Sequence, residues 1–435
     1  MRPLRPLHRG LAAALAVVAL TATAIGAPGS TLAQEGDGAG DGAGDAGSAA
    51  AVTALDDASR SAVDLALDRI APDLRAVPVQ SAELARVESE LIGLETTIRT
   101  ARSTIERAEA DLARLGGERE VAREEIERER VRRRVAGRDR GAAERHLAEL
   151  AIAAYVGGGV SGDPLPADGE ATTAAGRRRV LVGAVDDDLR DREATASAEM
   201  TAATRSVLTA RDRLDAVVEG IDAATASRDG ALAELARAEP LVPAAQDAFV
   251  DARLRATVVG ADFTLVALDA YRSAARTIAG EQPSCGIGWS TLAGIGRVES
   301  RHGTYGGSSV GVDGRTSRRI IGIALDGSEG IAEIRDTDGG ALDGDAVFDR
   351  AVGPMQFIPS TWRTVARDGD LDGVADPHNL YDAALTAAAY LCRSGSGLGG
   401  GSALERAILS YNQSGAYVRA VLGHRRDYDR LALPG

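Results

Sequence analysis

The sequence predicts a mainly α-helical protein, in which a long antiparallel coiled-coil hairpin precedes an α-rich domain. Apolar residues recur with gaps that alternate between three and four from Leu84 to Leu115, and again from Met200 to Ala224. This spacing is the heptad pattern of a coiled-coil seam. A stretch rich in Gly, Pro and Asp, residues 157–169, separates the two seams and predicts a break between two helices.

The start of the chain carries the pattern of an export signal. Three arginines lie within the first nine residues, and an apolar stretch of about fifteen residues, Leu11–Ile25, follows them. This stretch is short for a membrane span, and Thr31-Leu32-Ala33 offers a small-residue cleavage site. We therefore expect residues 1–33 to be a signal peptide and the protein to be exported to the cell envelope or beyond. An uncleaved membrane anchor is the alternative.

The next segments predict a leader and then the hairpin. Residues 34–55 are rich in Gly, Asp and Ala, which is typical of a flexible low-complexity leader. The hairpin extends over residues 56–258, with two helices of about seventy residues, each roughly 100 Å long. A parallel homodimer is the alternative, but the many alanines at seam positions favour a close-packed hairpin within one chain. The net charge of −14 argues against nucleic acid as a partner.

The last third of the chain contains four short segments that predict a catalytic site. They are LAGIGRVESRHG around Glu299, AVGPMQFIPSTW around Gln356, DGDLDGVADPHN from Asp368, and SYNQSGAY from Ser410. In the first of these segments, Leu292, Ile295 and Glu299 are spaced to share one face of a helix.

We expect that helix to have Ser290 as its N-cap and to stop at Gly303. Glu299 then lies in the last turn, where the negative end of the helix dipole and an apolar pocket would both raise its pKa. A glycosidic general acid needs a raised pKa in order to hold a proton near neutral pH. The alternative is an ordinary surface glutamate at a helix end.

Taken together and in this order, the four segments resemble the lytic murein transglycosylases, in particular the B-type and its actinobacterial relatives. The resemblance covers roughly residues 262–432 and implies a lysozyme-like domain over residues 262–435 that cuts the glycan strands of peptidoglycan. It also explains why no second carboxylate lies in a matching motif, although glycosidases usually pair two. In this family the 2-acetamido group of N-acetylmuramic acid stabilises the cationic carbon that forms when the glycosidic bond breaks. One glutamate, here Glu299, acts first as acid and then as base, which yields a 1,6-anhydro sugar without a cofactor.

The resemblance also implies substrate-binding residues around the acid: Ser300, Gln356, Tyr411, Asn412 and Tyr417. The residues themselves leave plainer alternatives open. Gln356 lies between Met355 and Phe357, which also suits a buried, hydrogen-bonded core amide. A helix-capping asparagine and packed aromatic side chains are the alternatives for the segment from Ser410.

The segment from Asp368 predicts a calcium loop of the EF-hand type. Oxygen ligands at alternating positions around a glycine turn suit Ca²⁺, and B-type relatives carry a comparable loop. The predicted ligands are Asp368, Asp370, Asp372, the carbonyl of Val374, Asp376 and Asn379. Asn379 replaces the usual bidentate glutamate, and Asp382 is a candidate substitute. The alternative is an acidic, self-capped turn. We expect a second acidic run, Asp336–Asp345, to be a solvated loop, and a metal site is the alternative.

The chain has two cysteines, Cys285 and Cys392. In an exported protein an even number of cysteines predicts a disulfide, and two free buried thiols are the alternative. Because no cysteine or histidine cluster is present, zinc is not expected.

The predicted hairpin loosely resembles the coiled-coil arms of cell-wall hydrolases that a membrane-embedded, division-associated transporter complex recruits. The segment LAELAIAAYVGGG, from Leu147, carries this likeness. A passive stalk that spaces the enzyme from the membrane is the alternative to a regulatory arm. For the whole chain, the alternatives to a lytic transglycosylase are a hydrolytic muramidase on the same fold and a non-catalytic wall-binding scaffold.

Overall fold

The computed structural model describes residues 60–158, 169–328 and 330–434. The predicted signal peptide and leader, residues 1–55, lie outside these residues, as do residues 159–168 of the predicted break between the long helices. The described residues are mainly α-helical, which confirms this part of the predicted fold class. None of their helices is both long enough and apolar enough to cross a membrane.

The helices and strands follow one another in a simple order. The first part of the chain contains α1 (Ala62–Leu67), α2 (Pro72–Arg75), β1 (Val79–Gln80), α3 (Ala82–Gly158), α4 (Gly169–Ala238), α5 (Val242–Arg255) and β2 (Thr257–Val258). The second part contains α6 (Leu265–Glu281), α7 (Trp289–Ser300), β3 (Ile321–Ala324), β4 (Arg350–Val352), α8 (Pro359–Val365), α9 (Leu380–Cys392), α10 (Gly401–Tyr411) and α11 (Gly415–Asp429).

The chain divides into two compact units at Glu95 and Leu241. The first unit combines the residues up to Glu95 with those from Leu241 onward, and the second unit is Thr96–Pro240. The predicted boundary at residues 258–262 therefore falls inside the first unit. The physical reason is a shared hydrophobic core, because Leu74, Leu91 and Phe249 belong to the same buried cluster as the helices from α6 onward.

The two long helices, whose residues from Thr96 to Ala238 lie in the second unit, carry the predicted seams on their covered faces. Each apolar residue of the seams Leu84–Leu115 and Met200–Ala224 is buried or half-buried, and α3 continues unbroken through the glycine pair at 116–117. Ion pairs join the two helices at Glu125–Arg213 and Arg140–Glu193, and a third, Arg102–Glu239, joins α3 to the turn that follows α4.

The first unit is built around α7, which lies against α6, α9 and α11. Two glycines permit this packing. A Cβ atom at Gly294 would lie 2.7 Å from the carbonyl oxygen of Val421 on α11, and one at Gly296 would lie 2.1 Å from the hydroxyl of Tyr271 on α6. Since any larger residue would push these helices apart, the glycines of LAGIGRVES fix how deeply α7 is inserted.

Short strands and a disulfide complete the first unit. Strands β1 and β2 pair antiparallel, with Val79 opposite Val258, and β3 and β4 pair antiparallel, with Ile321 opposite Val352. Cys285, shortly before α7, is bonded to Cys392, the last residue of α9, with Cα atoms 5.4 Å apart. The disulfide prediction is thereby confirmed, and the bond anchors the segment that leads into α7.

Candidate active site

Glu299 lies in the last turn of α7, as the sequence predicts, but the helix ends differently from the prediction. Gly288 is the N-cap, and Ser290 is a buried residue of the first turn. At the other end Arg301, rather than Gly303, is the first left-handed residue, with φ of 53°. Its N–H and that of His302 donate to carbonyls of the preceding turn, which satisfies the end of the helix.

The Glu299 carboxyl is half-buried, and burial raises its pKa to about 7. The phenol of Tyr417 donates a hydrogen bond to Glu299 Oε1 over 2.5 Å, which acts in the opposite direction and lowers the pKa. Burial is the larger effect because it removes water from a charged carboxylate. A carboxyl with these properties holds a proton near neutral pH and can donate it to a leaving oxygen.

Gln356 lies in a tight turn beside the strand pair β3–β4. Its φ is 50°, and both its backbone N–H and its Nε2 donate to the carbonyl of Gly353, over 3.2 and 2.8 Å. Among the residues that the structure describes, no donor is hydrogen-bonded to Gln356 Oε1, which lies 3.0 Å from where a Cβ atom of Gly322 would be. The side-chain NH2 group of Gln356 is therefore bonded within the protein, whereas its oxygen can accept a hydrogen bond from a ligand.

Ser300 is almost fully buried, with 1% of its surface exposed. Its hydroxyl donates to the carbonyl of Pro354 over 2.6 Å and accepts from the N–H of Gly303 over 2.8 Å. The Ser300 hydroxyl therefore both donates and accepts a hydrogen bond within the protein, and its predicted contact with substrate stays a prediction. The two hydrogen bonds join the end of α7 to the turn that carries Gln356, so Ser300 fixes the position of Gln356 relative to Glu299.

Tyr411 contacts both neighbours of Gln356 in its turn, Met355 and Phe357. The Tyr411 hydroxyl donates to the carbonyl of Met355 over 2.7 Å, and its ring packs edge-on against Phe357 and Tyr390. Burial, and after it the charge of the Glu299 carboxylate, raise the pKa of Tyr411 well above its usual range.

Asn412 caps the end of α10 and is exposed. Its Oδ1 accepts from the N–H of Ser414 over 3.2 Å, and Ser414 in turn is the N-cap of α11. This places Tyr417 in the first turn of α11, where its phenol meets Glu299. The structure thus links Glu299 to Tyr417, and Gln356 to Tyr411 through Met355.

Sequence reasoning did not identify a polar group behind α7, which consists of the buried residues Tyr271, His302 and Tyr428 and the exposed Asp262. Hydrogen bonds connect them in a chain. The only sequence signal is the position of His302 in the ESRHG segment, three residues after the acid.

The acidic loop brings together a different set of carboxylates from the predicted one. Asp368, Asp370 and Asp382 offer oxygen atoms that all lie within 4.8 Å of one another. Asp382 is fully buried, accepts from the N–H groups of Gly369 and Asp376, and burial raises its pKa to about 7. Burial also raises the pKa of Asp370. Asp368 Oδ1 is buried without a hydrogen-bond partner.

The other predicted ligands have different surroundings. Asp372 pairs with Arg315 over 2.9 Å and Asp376 with the same guanidinium over 3.8 Å. Val374 is 58% exposed. The Asn379 side chain makes hydrogen bonds within the protein, since its Oδ1 caps α9 through the N–H of Tyr381 and its Nδ2 donates to Asp370. Asp382, the candidate substitute, occupies the position that Asn379 was expected to fill.

The second acidic run also differs from the solvated loop that the sequence predicts. Asp336 and Asp338 lie within 4.8 Å of Asp349, which is fully buried and outside the run. Both Asp349 oxygens accept hydrogen bonds from Thr337, each over 2.8 Å. The run is therefore an ordered part of the first unit.

A family model described as a transglycosylase SLT domain matches residues 346–405. This part of the chain is therefore similar to a transglycosylase domain. The match includes Gln356, the acidic loop and α9, whereas Glu299 precedes it and Tyr411 and Tyr417 follow it. Peptidoglycan is the substrate that this transglycosylase-like domain implies. No curated protein and no solved structure matches the chain.

Proposed function

We propose that the protein is an exported lytic transglycosylase that cleaves the bond between N-acetylmuramic acid and N-acetylglucosamine in peptidoglycan. One observation carries the proposal: Glu299 has a pKa of about 7, set by burial and by the phenol of Tyr417. Its position beside Tyr411 and the Gln356 turn, in a chain with a transglycosylase-like domain, supports the same reading. Export is supported by the N-terminal pattern and by the disulfide.

In the proposed reaction, Glu299 acts twice. The protonated carboxyl first gives its proton to the glycosidic oxygen, and the bond to C1 of the muramic acid breaks while the 2-acetamido group stabilises the cationic carbon. The resulting carboxylate then takes the proton of the C6 hydroxyl, whose oxygen bonds to C1. Tyr417 donates to Oε1 in both states and so leaves the other oxygen for the proton transfers. Exposed Asn412 and the Gln356 amide oxygen are free to bind the sugars.

A hydrolytic muramidase would need a second carboxylate to activate water, at about 5–10 Å from the acid. The sequence places no second carboxylate in a matching motif, which favours the transglycosylase over the hydrolase.

Purified sacculi distinguish an enzyme from a wall-binding scaffold. We expect the mature protein to release soluble muropeptides from them. Stoichiometric binding to sacculi without release would support the scaffold and contradict the proposal.

We also propose that the acidic loop holds a structural Ca²⁺ through Asp368, Asp370 and Asp382. The donor set fits a hard cation, because three carboxylates converge and one of their buried oxygens has no donor. A bound cation would supply the positive charge that these carboxylates otherwise lack. The loop also contacts the site, since a Cβ atom at Gly353 would lie 1.7 Å from the carbonyl oxygen of Pro377.

Adding millimolar Ca²⁺ after chelation should therefore raise the melting temperature. A ligand present at about 100 times its Kd stabilises the native state by about 2.7 kcal/mol. Asp382→Asn should remove the shift, whereas Asp427→Asn, which changes an exposed carboxylate on α11, should retain it. An unchanged melting temperature in the unsubstituted protein would favour the self-capped turn.

The two long helices, we further propose, form an antiparallel coiled-coil hairpin that acts as a regulatory arm. The ion pairs 102–239, 125–213 and 140–193 support an antiparallel arrangement, because residues later in α3 pair with residues earlier in the second half of the hairpin. The proposed partner is a membrane-embedded division or envelope complex, and the alternative is a passive spacer. The test replaces residues 103–238 by a short loop between the ion-paired Arg102 and Glu239. A gating arm predicts a changed rate on sacculi, and equal rates with normal localisation would leave the spacer.

A further inference from the structure

His302 lies three residues after Glu299 and is one of the most buried polar residues of the first unit, with 2% of its surface exposed. Both of its ring nitrogens have partners. Nδ1 lies 3.0 Å from the hydroxyl of Tyr271 on α6, and Nε2 lies 3.0 Å from the hydroxyl of Tyr428 on α11. The Tyr428 hydroxyl donates to Asp262 Oδ1 over 2.8 Å. The imidazole therefore joins three helices at the end of α7.

The hydrogen bonds define the tautomer of this histidine. Tyr271 is fully buried, and the hydrogen bond of its hydroxyl in the described structure is to His302. Its O–H must therefore donate to Nδ1, since a buried unpaired donor is costly. Nε2 then carries the proton and donates a hydrogen bond to the Tyr428 hydroxyl. The Tyr428 hydroxyl in turn donates to Asp262. Burial lowers the pKa of His302, in spite of the opposing effect of Asp262, so the neutral ring is the stable form.

The same contacts set the position of the last turn of α7. The N–H of His302 donates to the carbonyl of Gly296 over 2.9 Å, and His302 has a left-handed φ of 60°. The Tyr271 hydroxyl rests against Gly296, where a Cβ atom would lie 2.1 Å away. Tyr271 thus makes two contacts with α7. Its hydroxyl touches Gly296, about one turn before Glu299, and binds the His302 imidazole just after Glu299, so the turn that carries the acid lies between the two contacts.

Helix α11 connects the His302 imidazole to the hydrogen bond between Tyr417 and Glu299. Tyr417 and Tyr428 both belong to α11 and are eleven residues apart, which is about three helical turns and places them on one face. Tyr428 meets the imidazole, and Tyr417 meets Glu299. A displacement of α11 relative to the end of α7 would therefore lengthen the bond between Tyr417 and Glu299.

We propose that His302 is a positioning residue for Glu299: its neutral imidazole, held between Tyr271 and Tyr428, fixes α7 against α11 so that Tyr417 reaches the Glu299 carboxyl. The inference deepens the proposed function, and its geometric part does not depend on catalysis. The groups that face the ring are Tyr271, Tyr428 and Asp262, and Arg297 and His424 lie nearby.

The test is the pKa of Glu299 itself, measured by carbon NMR of protein labelled at the glutamate carboxyl carbons and assigned with Glu299→Gln. Tyr417→Phe removes the hydrogen bond to the charged form and should raise this pKa from about 7 to about 8. His302→Asn keeps a residue that tolerates the left-handed backbone but cannot reach both tyrosines. It should raise the pKa in the same direction, and Tyr428→Phe should do so as well.

Tyr381→Phe is the control, because it deletes another buried hydroxyl, which donates to Asp269 in the same unit. It should lower stability without moving the pKa of Glu299. If His302→Asn does not fold, Tyr428→Phe carries the test alone. A Glu299 pKa in folded His302→Asn or Tyr428→Phe that equals that of Tyr381→Phe would overturn the inference. Failure of the protein to cleave sacculi would instead contradict the proposed function and leave this result standing.

Discussion

Glu299→Gln is expected to fold, to bind glycan strands and to lose turnover by about two to four orders of magnitude. The amide has the shape of the carboxyl and can still accept the bond from Tyr417, but it has no proton to give to the glycosidic oxygen. Release of soluble fragments from sacculi measures the loss, and sedimentation with sacculi measures the retained binding.

Glu405→Gln makes the same chemical change at an exposed position of α10 and should leave the rate unchanged. A Glu299→Gln protein that retains more than about one hundredth of the activity would contradict the assignment of the acid.

Gly353→Ala is expected to have the largest effect on stability of any single methyl addition near the site. The new Cβ atom would lie 1.7 Å from the carbonyl oxygen of Pro377, and Gly353 has a φ of 80° that alanine adopts poorly. Since the acidic loop and the Gln356 turn must then move apart, we expect a loss of at least about 4 kcal/mol in the free energy of unfolding.

Gly397→Ala is the matched control for this change. Gly397 has a similar φ of 74°, but a Cβ atom there would meet nothing within 4 Å. Only the backbone cost of about 1–2 kcal/mol should remain. Denaturant unfolding measures both variants, and equal losses would show that the contact between Gly353 and Pro377 is unimportant.

The sequence predicts local features of this protein well. The heptad spacing identifies the faces of α3 and α4 that are covered, because periodicity along a helix is a local property. The helix that carries Glu299 follows from the spacing of Leu292 and Ile295. The disulfide follows from the number of cysteines and the pattern of export.

The features that sequence reasoning missed depend on residues that are distant along the chain. The first unit includes residues 60–95 because Leu74 and Leu91 join a core formed more than 150 residues later. The bond of Ser300 to the Pro354 carbonyl joins residues 54 positions apart, and no local motif reports it. The His302 contacts require α6, α7 and α11 to be packed, which no local pattern reports.

The most direct test of the central claim is the chemistry of the muramic acid ends that the protein releases from sacculi. Digestion in water labelled with heavy oxygen, followed by mass spectrometry, separates the two reaction classes. Since the C6 hydroxyl of the sugar is the proposed nucleophile, the account predicts 1,6-anhydro ends that contain no label. Reducing N-acetylmuramic acid ends that carry the label at C1 would contradict it and would show that Glu299 serves a hydrolase.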